Sequence, residues 1–164
     1  MRLLSSNSMT RSVLRGITLG AIALGVSATA TAQDPEEWFT LGGDFAHTRY
    51  SPADEITAEN FADLEVAWEW DGASFKAVSG RSTPSLIDGK LFTVAGNKRH
   101  VVAIDPKTGE TLWSYREPDT PRGEYSMRAD YGKGVGFARI DGRGVVYIAS
   151  PGFFLTALDA DTGV

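Results

Sequence analysis

Two histidines, His47 and His100, and no cysteine stand in 164 residues. A thiolate metal site and a disulfide framework are therefore excluded for this chain. The histidines are far apart and lack ligand spacing, and Asp44 and Asp88 read as turn residues. Another set of residues does recur. Ala103, Asp105, Thr108 and Gly109 return as Ala157, Asp159, Thr162 and Gly163, 54 positions on. Their chemistry is hydrogen bonding within a turn. An aspartate there accepts backbone N–H groups, the threonine caps further, and the glycine takes the left-handed conformation that reverses the chain with a bulge. Ala103 and Ala157 are small enough to let a neighbouring sheet approach. Trp113, four residues after Gly109, can wedge between sheets and donate its N–H to a backbone carbonyl.

Short strands must position these residues. Residues 83–87, 90–95, 100–105 and 110–115 read as strands, separated by Asp88-Gly89, by 96–99 and by 106–109. Four antiparallel strands so joined make one propeller blade. After a loop over 117–131 the pattern restarts with strands at 134–140, 145–150 and 153–159, and the recurring turn follows. A fourth strand has not begun at Val164. The expected fold is all-β, a propeller of four-stranded blades with about two present. Two similar turns arising by chance in a β-sandwich are the alternative, and four matches in seven positions weigh against it. The period exceeds the ~40–45 residues of WD40 repeats.

Upstream, Val66, Trp68 and Trp70 alternate with Glu65, Ala67 and Glu69, which predicts a strand with one apolar face. Residues 57–64 predict a short helical turn capped by Thr57. Trp68 and Trp70 read as packing residues. The organisation is then a lead-in segment and closing strand over 33–80, with blades over 81–164.

The first 32 residues predict a cleaved export signal. Arg2, Arg11 and Arg15 are followed by the apolar run Gly16 to Val26, then by Ala30-Thr31-Ala32. The run is too short to span a bilayer, which takes ~20 residues. Cleavage before Gln33 removes three arginines and no acid, taking the formal charge from −5 to −8. An acidic exported domain lacks the basic face that nucleic acid requires, so that class of partner is excluded.

Ala103 to Trp113 resembles the tryptophan docking motif of eight-bladed quinoprotein dehydrogenases, which use pyrroloquinoline quinone (PQQ). Ala157 to Gly163 matches as far as it runs. Gly43-Asp44, Arg49-Tyr50-Ser51-Pro52, Leu64-Glu65-Val66-Ala67-Trp68 and Thr83-Pro84 resemble the same family. The resemblance implies oxidation of an alcohol, polyol or sugar by hydride transfer to PQQ beside a calcium or lanthanide ion. It also implies an electron acceptor, either a cytochrome c or a membrane quinone, and a periplasmic location. It places the metal ligands and the catalytic base beyond Val164, so the 164 residues alone are expected to be inactive.

The sequence departs from the family where the cofactor is first met. Arg81 stands where members often carry a glutamate, Met127-Arg128 where alcohol dehydrogenases carry two cysteines, and Lys133-Gly134 where they carry Arg-Gly. PQQ has three carboxylates, so the resemblance implies Lys133, Arg81 and Arg128 as charge-assisted contacts. Lysine keeps the charge but loses arginine's fork. A non-catalytic propeller of the same superfamily, of the outer-membrane assembly type, is the competing reading.

Overall fold

The computed structural model describes residues 37–76, 82–127, 132 and 134–164. The export signal over 1–32 and the cations Arg81, Arg128 and Lys133 lie outside the described residues. Seven strands form two antiparallel sheets, each paired in chain order. The first holds β1 (Ser85–Ile87), β2 (Lys90–Ala95), β3 (His100–Ile104) and β4 (Thr111–Tyr115). The second holds β5 (Gly136–Ile140), β6 (Arg143–Ala149) and β7 (Leu155–Asp159). These are one four-stranded propeller blade and three strands of another, as the turn spacing predicted. Strand limits differ by at most two residues from the expected ones. β6, for instance, starts at Arg143 because Arg143 and Gly144 already pair with Ile140 and Arg139.

The register explains the unbroken apolar run of β3. Val101 and Ala103 join one core with Ile87, Phe92 and Val94, against Val146, Ile148 and Leu158 of the second sheet. Val102 and Ile104 join another core, covered by Trp68, Trp70 and Phe75 from the lead-in segment. A strand buried on both faces needs no polar alternation. β7 is different: Leu158 is buried, whereas Leu155 is 75% exposed. Ala103 is fully buried, as its small size suggested, but Ala157 is exposed. The second sheet packs on the face that carries Ala103, and no described residues cover the face that carries Ala157.

Residues 64–70 correct an expectation. They form no strand, and Val66 is 76% exposed. Alternation reveals an apolar face, but a strand also needs a partner for its N–H and C=O groups. The face itself is real, since Trp68 and Trp70 lie on the second core. The lead-in segment reaches the sheet elsewhere, where Trp38 and Leu86 exchange backbone hydrogen bonds of 2.8 and 2.9 Å. The helical turn is a 3-10 turn at Phe61–Asp63. Thr57 does not cap it with its side chain. Its N–H donates to the Asn60 side chain at 2.8 Å, and its carbonyl accepts from Phe61 N–H. The loop after β4 contains a one-turn helix, α1 (Pro121–Glu124), that the sequence reading missed. The Thr120 hydroxyl caps it by accepting from Gly123 N–H at 3.1 Å, with Pro121 in the first turn.

Candidate functional site

Antiparallel pairing sorts the connections to two ends. One end collects the β1–β2, β3–β4 and β5–β6 turns and the turn after β7. The other collects the approach to β1, the β2–β3 and β6–β7 turns and the β4–β5 loop.

The first end is a fastening. The two recurring turns share their backbone bonds and differ in those of their threonines. Gly109 N–H donates to Asp105 carbonyl at 2.9 Å and Gly163 N–H to Asp159 carbonyl at 2.8 Å. The glycine φ values are 75° and 76°. The Asp105 carboxylate accepts from Lys107 N–H at 2.7 Å, and Asp159 accepts from Asp161 N–H and Thr162 N–H, both at 3.0 Å. The Thr162 hydroxyl also donates to Asp159, which holds that carboxyl below its usual range. Thr108 uses its hydroxyl to accept from Glu110 N–H at 3.2 Å.

Each turn receives a tryptophan. Trp113 Nε1 donates to Ala160 carbonyl at 3.1 Å, and its ring lies where a Cβ on Gly163 would stand. Trp68 Nε1 donates to Pro106 carbonyl at 2.9 Å, and its ring lies against Gly109 in the same way. Ala160 and Pro106 occupy the same place in the two turns. Trp68 is therefore a docking residue as well as a packing one. The signal was present in the sequence: Glu65-Val66-Ala67-Trp68 and Glu110-Thr111-Leu112-Trp113 share the glutamate-to-tryptophan spacing. At this end Lys90 also pairs with Asp161 at 2.7 Å, and Arg139 bridges Glu37 and Asp88. That bridge holds the Arg139 guanidinium above its usual pKa. Sequence reasoning missed Arg139, because nothing local marks it.

The second end carries two clefts. A cleft of about 230 Å³ is lined by Leu41, Thr83, Ser85, Gly134 and Val135. Gly134 has φ +149°, and a Cβ there would stand 3.2 Å from the Thr83 carbonyl. The approach to β1 thus meets the approach to β5. Arg81 is two residues before Thr83, and Lys133 adjoins Gly134. The two sequence-predicted cations therefore flank, along the chain, residues that the fold brings together. Arg128 has no such described neighbour in the cleft. A second cleft of about 460 Å³ at this end is lined by Lys98, Glu117, Thr120, Pro121 and Pro151, among others. Asp119 in its rim is held below its usual pKa by its bond to Lys98 and by the nearby Arg116 charge. His100 stays half-buried beside Phe75, and burial depresses its pKa. Among the described residues no three His, Asp or Glu side chains gather as a metal-holding group.

Residues 38–164 match the family described as PQQ glucose/ethanol/alcohol dehydrogenase, β-propeller domain. The chain is 36% identical over 135 residues to a quinohemoprotein alcohol dehydrogenase of Comamonas testosteroni, covering 82% of this chain and 18% of that protein. It is 35% identical over 147 residues to the 1-butanol dehydrogenase (cytochrome c) of Thauera butanivorans, covering 88% and 20%. Among solved structures, the quinohemoprotein alcohol dehydrogenase ADHIIG of Pseudomonas putida HK5 matches with a TM-score of 0.58 and 28% identity, over 79% of this chain and 18% of that one. A europium-containing methanol dehydrogenase shares the fold, with a TM-score of 0.51 and 20% identity over 80% and 22%. The chain spans 18% and 20% of the two curated relatives.

Proposed function

Because this chain belongs to the family of PQQ-dependent glucose, ethanol and alcohol dehydrogenases, whose β-propeller domain it matches over residues 38–164, we propose that it supplies the first blades of a periplasmic dehydrogenase. The substrate is an alcohol, polyol or sugar, and the hydride goes to PQQ. The carrying observation is the meeting of Thr83 and Gly134 in one cleft, with Arg81 and Lys133 adjoining them in sequence.

The residues fit the cofactor in kind. Gly134 offers bare backbone, Thr83 and Ser85 offer hydroxyls, and Leu41 and Val135 offer an apolar wall to a flat ring. Arg81, Lys133 and Arg128 are the cations that would pair with its carboxylates. When bound, PQQ supplies a quinone carbon that accepts hydride, assisted by a calcium or lanthanide ion as Lewis acid. In this reading the described residues bind and orient, and the proton is removed by a base in other blades. Export through the signal over 1–32 and electron transfer to a cytochrome c or a membrane quinone complete the proposal. The names of two relatives, a dehydrogenase (cytochrome c) and a dehydrogenase (quinone), support the acceptor classes.

Equilibrium dialysis of the protein against PQQ, with calcium or a lanthanide present, tests this. Saturable binding that weakens with salt and in Lys133→Ala supports the dehydrogenase. No binding under any metal leaves the non-catalytic propeller scaffold as the better reading.

A further inference from the structure

Glu117 is 5% exposed, yet it is a carboxylate with no part in the proposed chemistry. Both of its oxygens lie within hydrogen-bond distance of one donor, Gly152 N–H, at 3.0 and 3.1 Å. The carboxylate is wedged between two bare backbones. A Cβ on Gly123 would stand 2.8 Å from one oxygen, and a Cβ on Gly152 would stand 2.9 Å from the other. Gly123 belongs to α1 in the β4–β5 loop, and Gly152 belongs to the β6–β7 turn. Burying a carboxylate is unfavourable unless hydrogen bonds to the charged form offset the lost hydration. Arg99, from the β2–β3 turn, holds the end of β6 that leads into this turn, its Nη1 donating to Ala149 carbonyl at 2.8 Å. All of these loops gather at the end where Thr83 meets Gly134, and the β4–β5 loop that begins at Glu117 runs on to Gly134.

We propose that Glu117 is a positioning residue: its buried carboxylate, holding the Gly152 amide, locks the β6–β7 turn to the β4–β5 loop and so sets the affinity of this end for PQQ. The proposal rests on the dehydrogenase reading above. Glu117 does not line the cleft where Thr83 meets Gly134, so its effect passes through loop geometry.

The test compares Glu117→Ala, Glu117→Asp and Glu117→Gln in the full chain. Three quantities are read: exchange of the Gly152 amide, PQQ dissociation constant by dialysis, and thermal unfolding. Glu117→Ala raises both the exchange rate and the dissociation constant about tenfold, the scale of a lost charged hydrogen bond. Glu117→Asp keeps the charge but loses reach, and moves both in the same direction. Glu117→Gln keeps an oxygen acceptor and restores most of both. If Glu117→Ala does not fold, the folded Asp variant decides. Faster Gly152 exchange with unchanged PQQ affinity overturns the role, as does an unchanged Gly152 amide. Failure of the unaltered protein to bind PQQ overturns the cofactor reading and this role with it. Equal binding by the unaltered chain and the variants overturns this role alone.

Discussion

Trp113 and Ala160 are 47 residues apart in the chain, and the indole N–H of the first donates to the carbonyl of the second at 3.1 Å. The bond crosses from the outer strand of one sheet to the turn of the next. The ring at the same time covers Gly163, which leaves no room for a Cβ. One side chain therefore supplies apolar contact and a directional bond between blades.

A mutant cycle on this contact has a defined outcome. Trp113→Ala lowers stability by about 3 kcal/mol, toward the lower end for a large aromatic because the ring is only partly buried. Gly163→Ala destabilises through its φ of 76° and its clash with the ring. In the Trp113→Ala background the clash is gone, so the cost of Gly163→Ala shrinks by about 1 kcal/mol. Urea unfolding followed by circular dichroism measures all four proteins, and strict additivity would sink the idea.

Gly134→Ala acts at the other end. It strains a φ of +149° and sets a methyl 3.2 Å from the Thr83 carbonyl. A loss of more than about 1 kcal/mol in stability is expected, together with weaker PQQ binding in dialysis. Unchanged binding would remove Gly134 from the cleft's role.

Arg139 bridges Glu37 and Asp88, and its side chain is about half exposed. Arg139→Ala is expected to lower stability by no more than about 1 kcal/mol. The loss fades as salt is raised toward about 0.5 M. Both carboxylates are met by one nitrogen, Nη2, so Arg139→Lys, whose ammonium carries three donors on one nitrogen, recovers part of the loss. Chemical unfolding at two salt concentrations checks both points.

His100 makes stability depend on pH in a stated direction. Burial depresses its pKa below the ordinary 6.5, and nearby Arg116 and Lys98 add to this, while a bond with the Ala95 backbone opposes it. Phe75 covers the ring without charge. The unfolded chain therefore binds more protons in the window from 6.5 down to the lowered value, and stability falls as pH falls through it. Below that window the contribution levels off. Thermal unfolding between about pH 7.5 and 5 reads the slope, and His100→Phe flattens it.

The 164-residue chain, which spans 18% and 20% of two relatives, is expected to oxidise no alcohol or sugar by itself. PQQ-dependent dye reduction with alcohols and sugars is the check. Turnover would show that the catalytic base and metal ligands are already present.

Legibility followed the reach of each interaction. The hairpins and the recurring turn were readable because their bonds close within four or five residues. Asp159 to Thr162 and Gly163 to Asp159 are such cases. Strand existence in 64–70 was misread, because pairing depends on a partner that alternation does not reveal. The cofactor cations were reached only through family resemblance, and their side chains lie outside the described residues.

The sequence by itself determined the blade: strand order, turn chemistry and the glycines that take left-handed φ. It could do so because backbone preference and short-range hydrogen bonds act between near neighbours. Tertiary structure alone decided that Glu117 holds Gly152 across 35 residues and that Arg139 meets Glu37 across 102. Such partners are chosen by how sheets pack, and no local pattern encodes which distant backbone amide or carboxylate a packed side chain will meet.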